Sequence, residues 1–180
     1  MERAAILEVR KSAEDSFAAG FYCAESVVMA IAKAEGVDSE LLPRVATGFG
    51  GGMARTCGDC GALTGAILAI GLALGRSAAT ESVEPTFAAT GRLIQDFERE
   101  FGARDCQALL GGCGLATPEG QAMFKQEKLR RRCRRFTGGA AEIAARVIAE
   151  SRDGSLRSDA KSAGERIAEA EPNLTRGERQ

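Results

Sequence analysis

Histidine is missing from this chain altogether. That absence removes mixed Cys/His zinc sites, histidine-ligated haem, Ser-His-Asp triads and Cys-His nucleophile pairs. Tryptophan is absent too, and aromatics are only 5% of the residues, so a core must be built from Ala, Leu, Ile, Val and Gly. Side chains that small suit closely packed helices. An excess of either charge is also lacking: the net charge is −1, which gives no pull toward nucleic acid or an anionic membrane. No strand-like alternation and no internal repeat is visible. The start, Met1-Glu2-Arg3-Ala4, has no apolar h-region, so a cytoplasmic location is expected.

What is present is cysteine: Cys23, Cys57, Cys60, Cys106, Cys113 and Cys133. In a reducing compartment such a set points to metal binding or redox chemistry rather than to disulfide staples. With no imidazole, metal must be held through sulfur, or the thiols must cycle to disulfide, or they simply pack.

The periodicity predicts an all-α fold, a compact helical bundle around a central Gly/Ala-rich buried helix. One helix is expected over 2–19, with Ile6, Val9, Ala13 and Phe17 on one stripe and Gly20 beyond it. A second runs over 23–35 to Gly36, and a short one follows from Ser39 to Ala46. Residues 48–58 form a glycine-rich loop. The run Cys60–Gly75, CGALTGAILAIGLALG, lacks charge. As a helix it would rise only ~24 Å, short of the ~30 Å of a bilayer core, so it reads as buried rather than membrane-spanning. Its glycines spaced by four suit close helix packing, within the monomer or across a homodimer.

Further helices are expected over 83–101, just after a cap at Asp105, from the Thr117-Pro118-Glu119 start to Arg135, and over 140–152. Thr137 and two glycines are read as a break between the last two. Residues 1–152 make one helical cysteine-rich domain. Residues 153–180 read as a polar, mobile tail with one marginal turn near 164–171.

Cys57 and Cys60 form a Cys-x-x-Cys at a loop-to-helix junction, where the helix dipole and unpaired N–H groups favour thiolate. At i and i+3 they would lie on nearly one helical face. This pair is a candidate redox dithiol or two ligands of a metal centre. Cys23 and Cys106 also fall at helix N-termini. Cys133 lies among seven basic residues between Lys125 and Arg135. Of these, Arg131, Arg132, Arg134 and Arg135 are candidates to offset the charge of a thiolate centre. Gly50, Gly51 and Gly52 fail the nucleotide-loop spacings and suit a backbone turning tightly around a metal or sulfide centre, with amides aimed at sulfur.

Ordered along the chain, these pieces resemble the redox-active family named C_GCAxxG_C_C. The matching segments are Phe21–Val27, GFGGGMARTCGDCGALTGAILAIGL (48–72), Phe97 to Gly111 with Cys106, and Cys133. By position, the resemblance implies Cys23, Cys60, Cys106 and Cys133 as metal ligands, with Cys57 and Cys113 as alternates. One departure stands out: the name motif reads Gly-Cys-Ala-x-x-Gly, whereas here the order is Asp59-Cys60-Gly61-Ala62-Leu63-Thr64-Gly65. The resemblance implies a small helical redox protein. A similar domain accompanies haem and an iron–sulfur centre in split-Soret cytochromes, but without histidine the haem part does not transfer. The expected cofactor is an iron–sulfur cluster, [2Fe–2S], serving electron transfer or redox sensing with a partner redox protein. A Cys57/Cys60 thiol–disulfide oxidoreductase or thiol sensor, and a structural four-cysteine zinc module, are the alternatives.

Overall fold

The computed structural model describes residues 2–156, and among them the chain is helical with no strands. The expected turn near 164–171, and the tail beyond Leu156, lie outside the described residues. Helix α1 (Arg3–Ala18) buries Val9, Ala13 and Phe17, the stripe that the 3.6-residue period predicts. Helix α2 (Cys23–Ala34) starts at Cys23, with Glu25 Oε2 accepting from the Tyr22 N–H at 2.7 Å. A short α3 (Leu41–Ala46), a single 3-10 turn and a four-residue turn α4 (Gly50–Met53) lead to α5 (Gly61–Leu74). Then come α6 (Glu84–Phe101), α7 (Cys106–Leu109), α8 (Pro118–Gln126) and the long α9 (Arg130–Asp153). Helix α9 packs against α1, α2, α5 and α6, and α2 packs against α5. Leu156, read from sequence as the start of the tail, is buried against this core.

Helix α5 is the central apolar helix. At 14 residues it rises about 21 Å, and no helix among the described residues is long and apolar enough to cross a membrane. Its first turns are tightly enclosed: a Cβ placed at Gly65 would lie 2.6 Å from Ala24 Cα in α2, and one at Gly61 would lie 2.9 Å from Phe49 O. Two backbones therefore meet where only glycine leaves room.

The end of the fold differs from the sequence expectation. The helix expected from Thr117 to Arg135 stops at Gln126, and α9 runs unbroken through Thr137-Gly138-Gly139. Lys128 takes a left-handed φ of 53°, which turns the chain so that Leu129 packs with Cys106, Leu110 and Cys113. Gly138 and Gly139 are not breakers. A side chain at either would run into Glu14 or Phe101, so these glycines let α1 and α6 side chains lie against α9. Phe87, at the start of α6, is 65% exposed, whereas Leu93 and Phe97 are fully buried.

One buried charge ties α6 to α9. Asp96 is 5% exposed and accepts from Arg92 Nε (2.9 Å), Arg99 Nη1 (2.6 Å) and Arg146 Nη2 (2.9 Å). Burial works to raise its pKa, but the guanidiniums of Arg146 and Arg92 outweigh it and hold the carboxyl below its ordinary value.

Gly65→Ala should cost about 1–3 kcal/mol in urea unfolding, because Ala24 backbone cannot yield. Gly71→Ala, with nothing within 4 Å of its added Cβ, should instead gain about 0.5–1 kcal/mol. Asp96→Asn should cost about 2–3 kcal/mol at neutral pH. Because the folded pKa is depressed, the Asp96 contribution is complete above the ordinary value of 3.8 and is lost as pH falls through the lower folded value. The difference between wild type and Asp96→Asn in acid unfolding should therefore shrink below about pH 4.

Candidate metal centre

Two segments far apart in sequence are joined just before their cysteines. Asp59 and Asp105 form an isolated antiparallel bridge. Within it the Cys60 N–H donates to Arg104 O (2.8 Å) and the Cys106 N–H donates to Gly58 O (3.0 Å). Arg104 Nε lies 3.5 Å from Asp59 Oδ1 across the same junction. The bridge keeps residues 58–60 extended, so α5 cannot begin before Gly61 and Cys60 becomes its N-cap residue. Cys57 therefore stands off the helix, in a left-handed conformation (φ 64°), and the shared helical face expected for the Cys-x-x-Cys pair does not form. Beyond the bridge, Asp105 caps α7 by accepting from the Ala108 N–H at 2.7 Å, which sets Cys106 as the first helical residue.

The glycine loop completes the approach. Gly51 and Gly52 have φ of 67° and 72°, and the Gly58 N–H donates to Gly52 O at 3.2 Å. A Cβ at Gly52 would lie 2.5 Å from Cys106 Cβ. After the glycines, Met53, Ala54 and Arg55 also adopt left-handed backbone, with φ of 53°, 55° and 69°. Each such residue costs about 1 kcal/mol, and strain of this kind concentrates at functional sites.

These elements surround a cavity of about 330 Å³. Cys23, Cys60, Cys106 and Cys133 all line it, from α2, the α5 cap, α7 and α9; Cys57 and Cys113 are not among the lining residues. The Cys113 thiol instead donates to Gly120 O at 3.2 Å. All six cysteines are free. Among the described residues, no three Cys, Asp or Glu side chains converge closely enough to hold a single metal ion. Gly51, Gly52 and Gly61 supply backbone to the wall, whereas Gly50 packs under the Tyr22 ring.

The thiols are unequal. The Cys133 thiol, hydrogen-bonded to the Cys23 sulfur, holds the Cys23 pKa below its ordinary value despite burial, helped by the Thr137 hydroxyl and the Arg130 charge. The same contact, with burial, drives Cys133 upward. Burial first, then the field of Cys23, raises Cys60, while the N–H groups of Ala62 and Leu63 oppose the rise. Burial, with the fields of Cys23 and Cys57, pushes Cys106 up to about 12. Of these four, Cys23 is the sulfur poised to ionise first.

Arg55, Lys125 and Arg130 line the cavity. Sequence reasoning pointed instead to Arg131, Arg132, Arg134 and Arg135. Arg134 turns to Glu14 and Asp15 (3.5 and 3.7 Å), and Arg135 lies 5.6 Å from the Phe101 ring centroid. Arg130 stacks 4.4 Å above the Phe17 ring and donates to Phe17 O at 2.7 Å, which fixes it beside Cys23. Arg55 was within reach of sequence reasoning through its place in the glycine–cysteine loop. Lys125 and Arg130 carried no signal that set them apart from their basic neighbours.

Comparison with curated proteins and with solved structures yields no match. A family model does match, over residues 21–147, under the description "Putative redox-active protein (C_GCAxxG_C_C)". The matched span takes in all six cysteines, both halves of the Asp59–Asp105 bridge and the first part of α9. The chain, with four of its thiols gathered on one cavity, belongs to the C_GCAxxG_C_C family of redox-active proteins.

Proposed function

We propose that Cys23, Cys60, Cys106 and Cys133 hold an iron–sulfur cluster, [2Fe–2S], and that the protein serves electron transfer or redox sensing. The observation that carries this reading is the convergence of four free cysteines from four separate elements on one cavity. A donor set made only of thiolates suits iron–sulfur centres. A four-cysteine zinc site needs all sulfurs at ~2.3 Å from one point, and no such convergence exists among the described residues.

When bound, such a cluster takes up and gives back one electron at a time. With four thiolates it would carry a net charge of about −2 in its oxidised form, which burial penalises unless cations and N–H donors face it. Arg55, Lys125 and Arg130 supply the cations, and the N–H groups of Ala62 and Leu63 face the Cys60 sulfur. Phe17, Phe124 and Phe136 limit water at the wall. Loading must displace the thiol protons that burial retains at Cys60, Cys106 and Cys133, so it should strengthen as pH rises.

A second reading has its own observation. Cys133 is the strongest influence on the Cys23 thiol and both line the cavity, so the two form a candidate dithiol, alongside Cys57/Cys60. The Cys23 thiolate would attack an external disulfide, and Cys133 would displace the resulting mixed disulfide; two hydrogens leave the protein and the external disulfide is reduced to two thiols.

Anaerobic purification with a visible spectrum and iron, sulfide and zinc analysis tests both. About two iron and two sulfide per chain are expected for [2Fe–2S]. Cys23→Ala should bring both near background, whereas Cys113→Ala should retain them. Full iron and sulfide in Cys23→Ala would remove Cys23 from the ligand set. Metal-free protein that resists reconstitution, and loses two hydrogens on mild oxidation at a mapped cysteine pair, would establish the dithiol.

A further inference from the structure

The cavity that gathers the thiols has a second chemical character. Its buried part carries Cys23, Cys60 and Cys106, whereas Arg55, Lys125 and Arg130 are exposed residues that also line it. The cations therefore mark its mouth. No Asp or Glu lines the cavity, and among the described residues none of these three cations pairs with a carboxylate. This is unusual in a chain whose acidic and basic residues nearly balance. Arg55 reaches only the Tyr22 hydroxyl, at 3.5 Å, and is held there by the left-handed run Met53-Ala54-Arg55. The remaining lining is largely apolar, with Phe17, Leu115, Phe124 and Phe136. A cleft lined by one sign of charge over low-dielectric walls focuses its field on an incoming ion of the opposite sign. Its volume lies at the small end of ligand pockets, about 300–1,000 Å³.

We propose that this cavity binds a small amphipathic organic anion, its carboxylate held by Arg55, Lys125 and Arg130 at the mouth and its hydrocarbon body directed past the aromatic wall toward the thiols. The inference concerns the cavity without metal, since a cluster on the four sulfurs would take up the same space and the same cations. An anionic ligand satisfies both parts at once. The carboxylate replaces the missing counter-charge, and the hydrocarbon fills space that water occupies poorly.

The test is calorimetric titration of the full-length protein, as isolated and again after metal removal, with octanoate, octan-1-ol and octylamine. Octanoate should bind the metal-free protein, octan-1-ol and octylamine should bind it at least about tenfold more weakly, and an assembled cluster should weaken octanoate binding by a similar factor. The double variant Arg55→Gln/Lys125→Gln, at two exposed positions, should lose about tenfold in octanoate affinity. Arg131→Gln, outside the cavity, should lose none. Circular dichroism would check that each variant is folded. Equal affinity for octan-1-ol, undiminished octanoate binding by the double variant, or octanoate affinity unchanged by an assembled cluster would each overturn the proposal. So would a polyglutamate peptide that binds more tightly and displaces octanoate, since it would assign the cations to an acidic protein surface. Failure of iron and sulfide to assemble, with octanoate binding intact, would overturn the cluster reading alone.

Discussion

Steric exclusion at three glycines governs the site. Gly65 lets α5 lie on the backbone of α2, Gly61 lets the start of α5 lie against the Phe49 carbonyl, and Gly52 brings the glycine turn against Cys106. At each, a single methyl group would displace backbone beside a thiol-bearing segment. Hydrogen bonding then sets what sterics permits: the two backbone bonds between residues 58–60 and 104–106 fix the relative positions of Cys60 and Cys106. Protein interiors are close-packed and do not deform smoothly. Small residues at these contacts thus determine whether the four sulfurs meet at all, although none of the three glycines carries a reactive group.

Much of the fold was legible because helix signals are local. The stripe Val9, Ala13 and Phe17, the cap at Asp105 with Cys106 after it, and Thr117-Pro118 each depend on residues a turn apart, and each stands where the pattern places it. The C-terminal region was misread because Gly138 and Gly139 answer to Glu14 and Phe101, more than thirty residues away in sequence. A glycine selected for close approach and one selected to end a helix look alike in a sequence. Lys128 is the converse case: a residue with no turn signature adopts left-handed backbone because burial of Leu129 outweighs the local cost.

The same division runs through the site. The family resemblance singled out Cys23, Cys60, Cys106 and Cys133, and these four line one cavity. The separation of Cys57 from Cys60 was not readable, since it arises from pairing with a segment 46 residues later, Asp59 with Asp105. Nor was the choice of cations. Seven basic residues lie between Lys125 and Arg135, and the turn at 127–129 changes which of them face the cavity. Arg130 is selected by the Phe17 ring and carbonyl, both contributed by α1.

Helix α9 carries Cys133 in its first turn and also covers α1, α2, α5 and α6. A ribosome delivers this chain from its N-terminus, at about 5–20 residues per second. Cys23, Cys60 and Cys106 leave the exit tunnel before the helix that completes both the core and the thiol set. Until α9 docks, three thiols and an open apolar face are exposed together, and that docking closes both. Completion of the thiol set and burial of the core are therefore one event in time, and the nascent protein has no folded stage at which the four thiols stand together without the core.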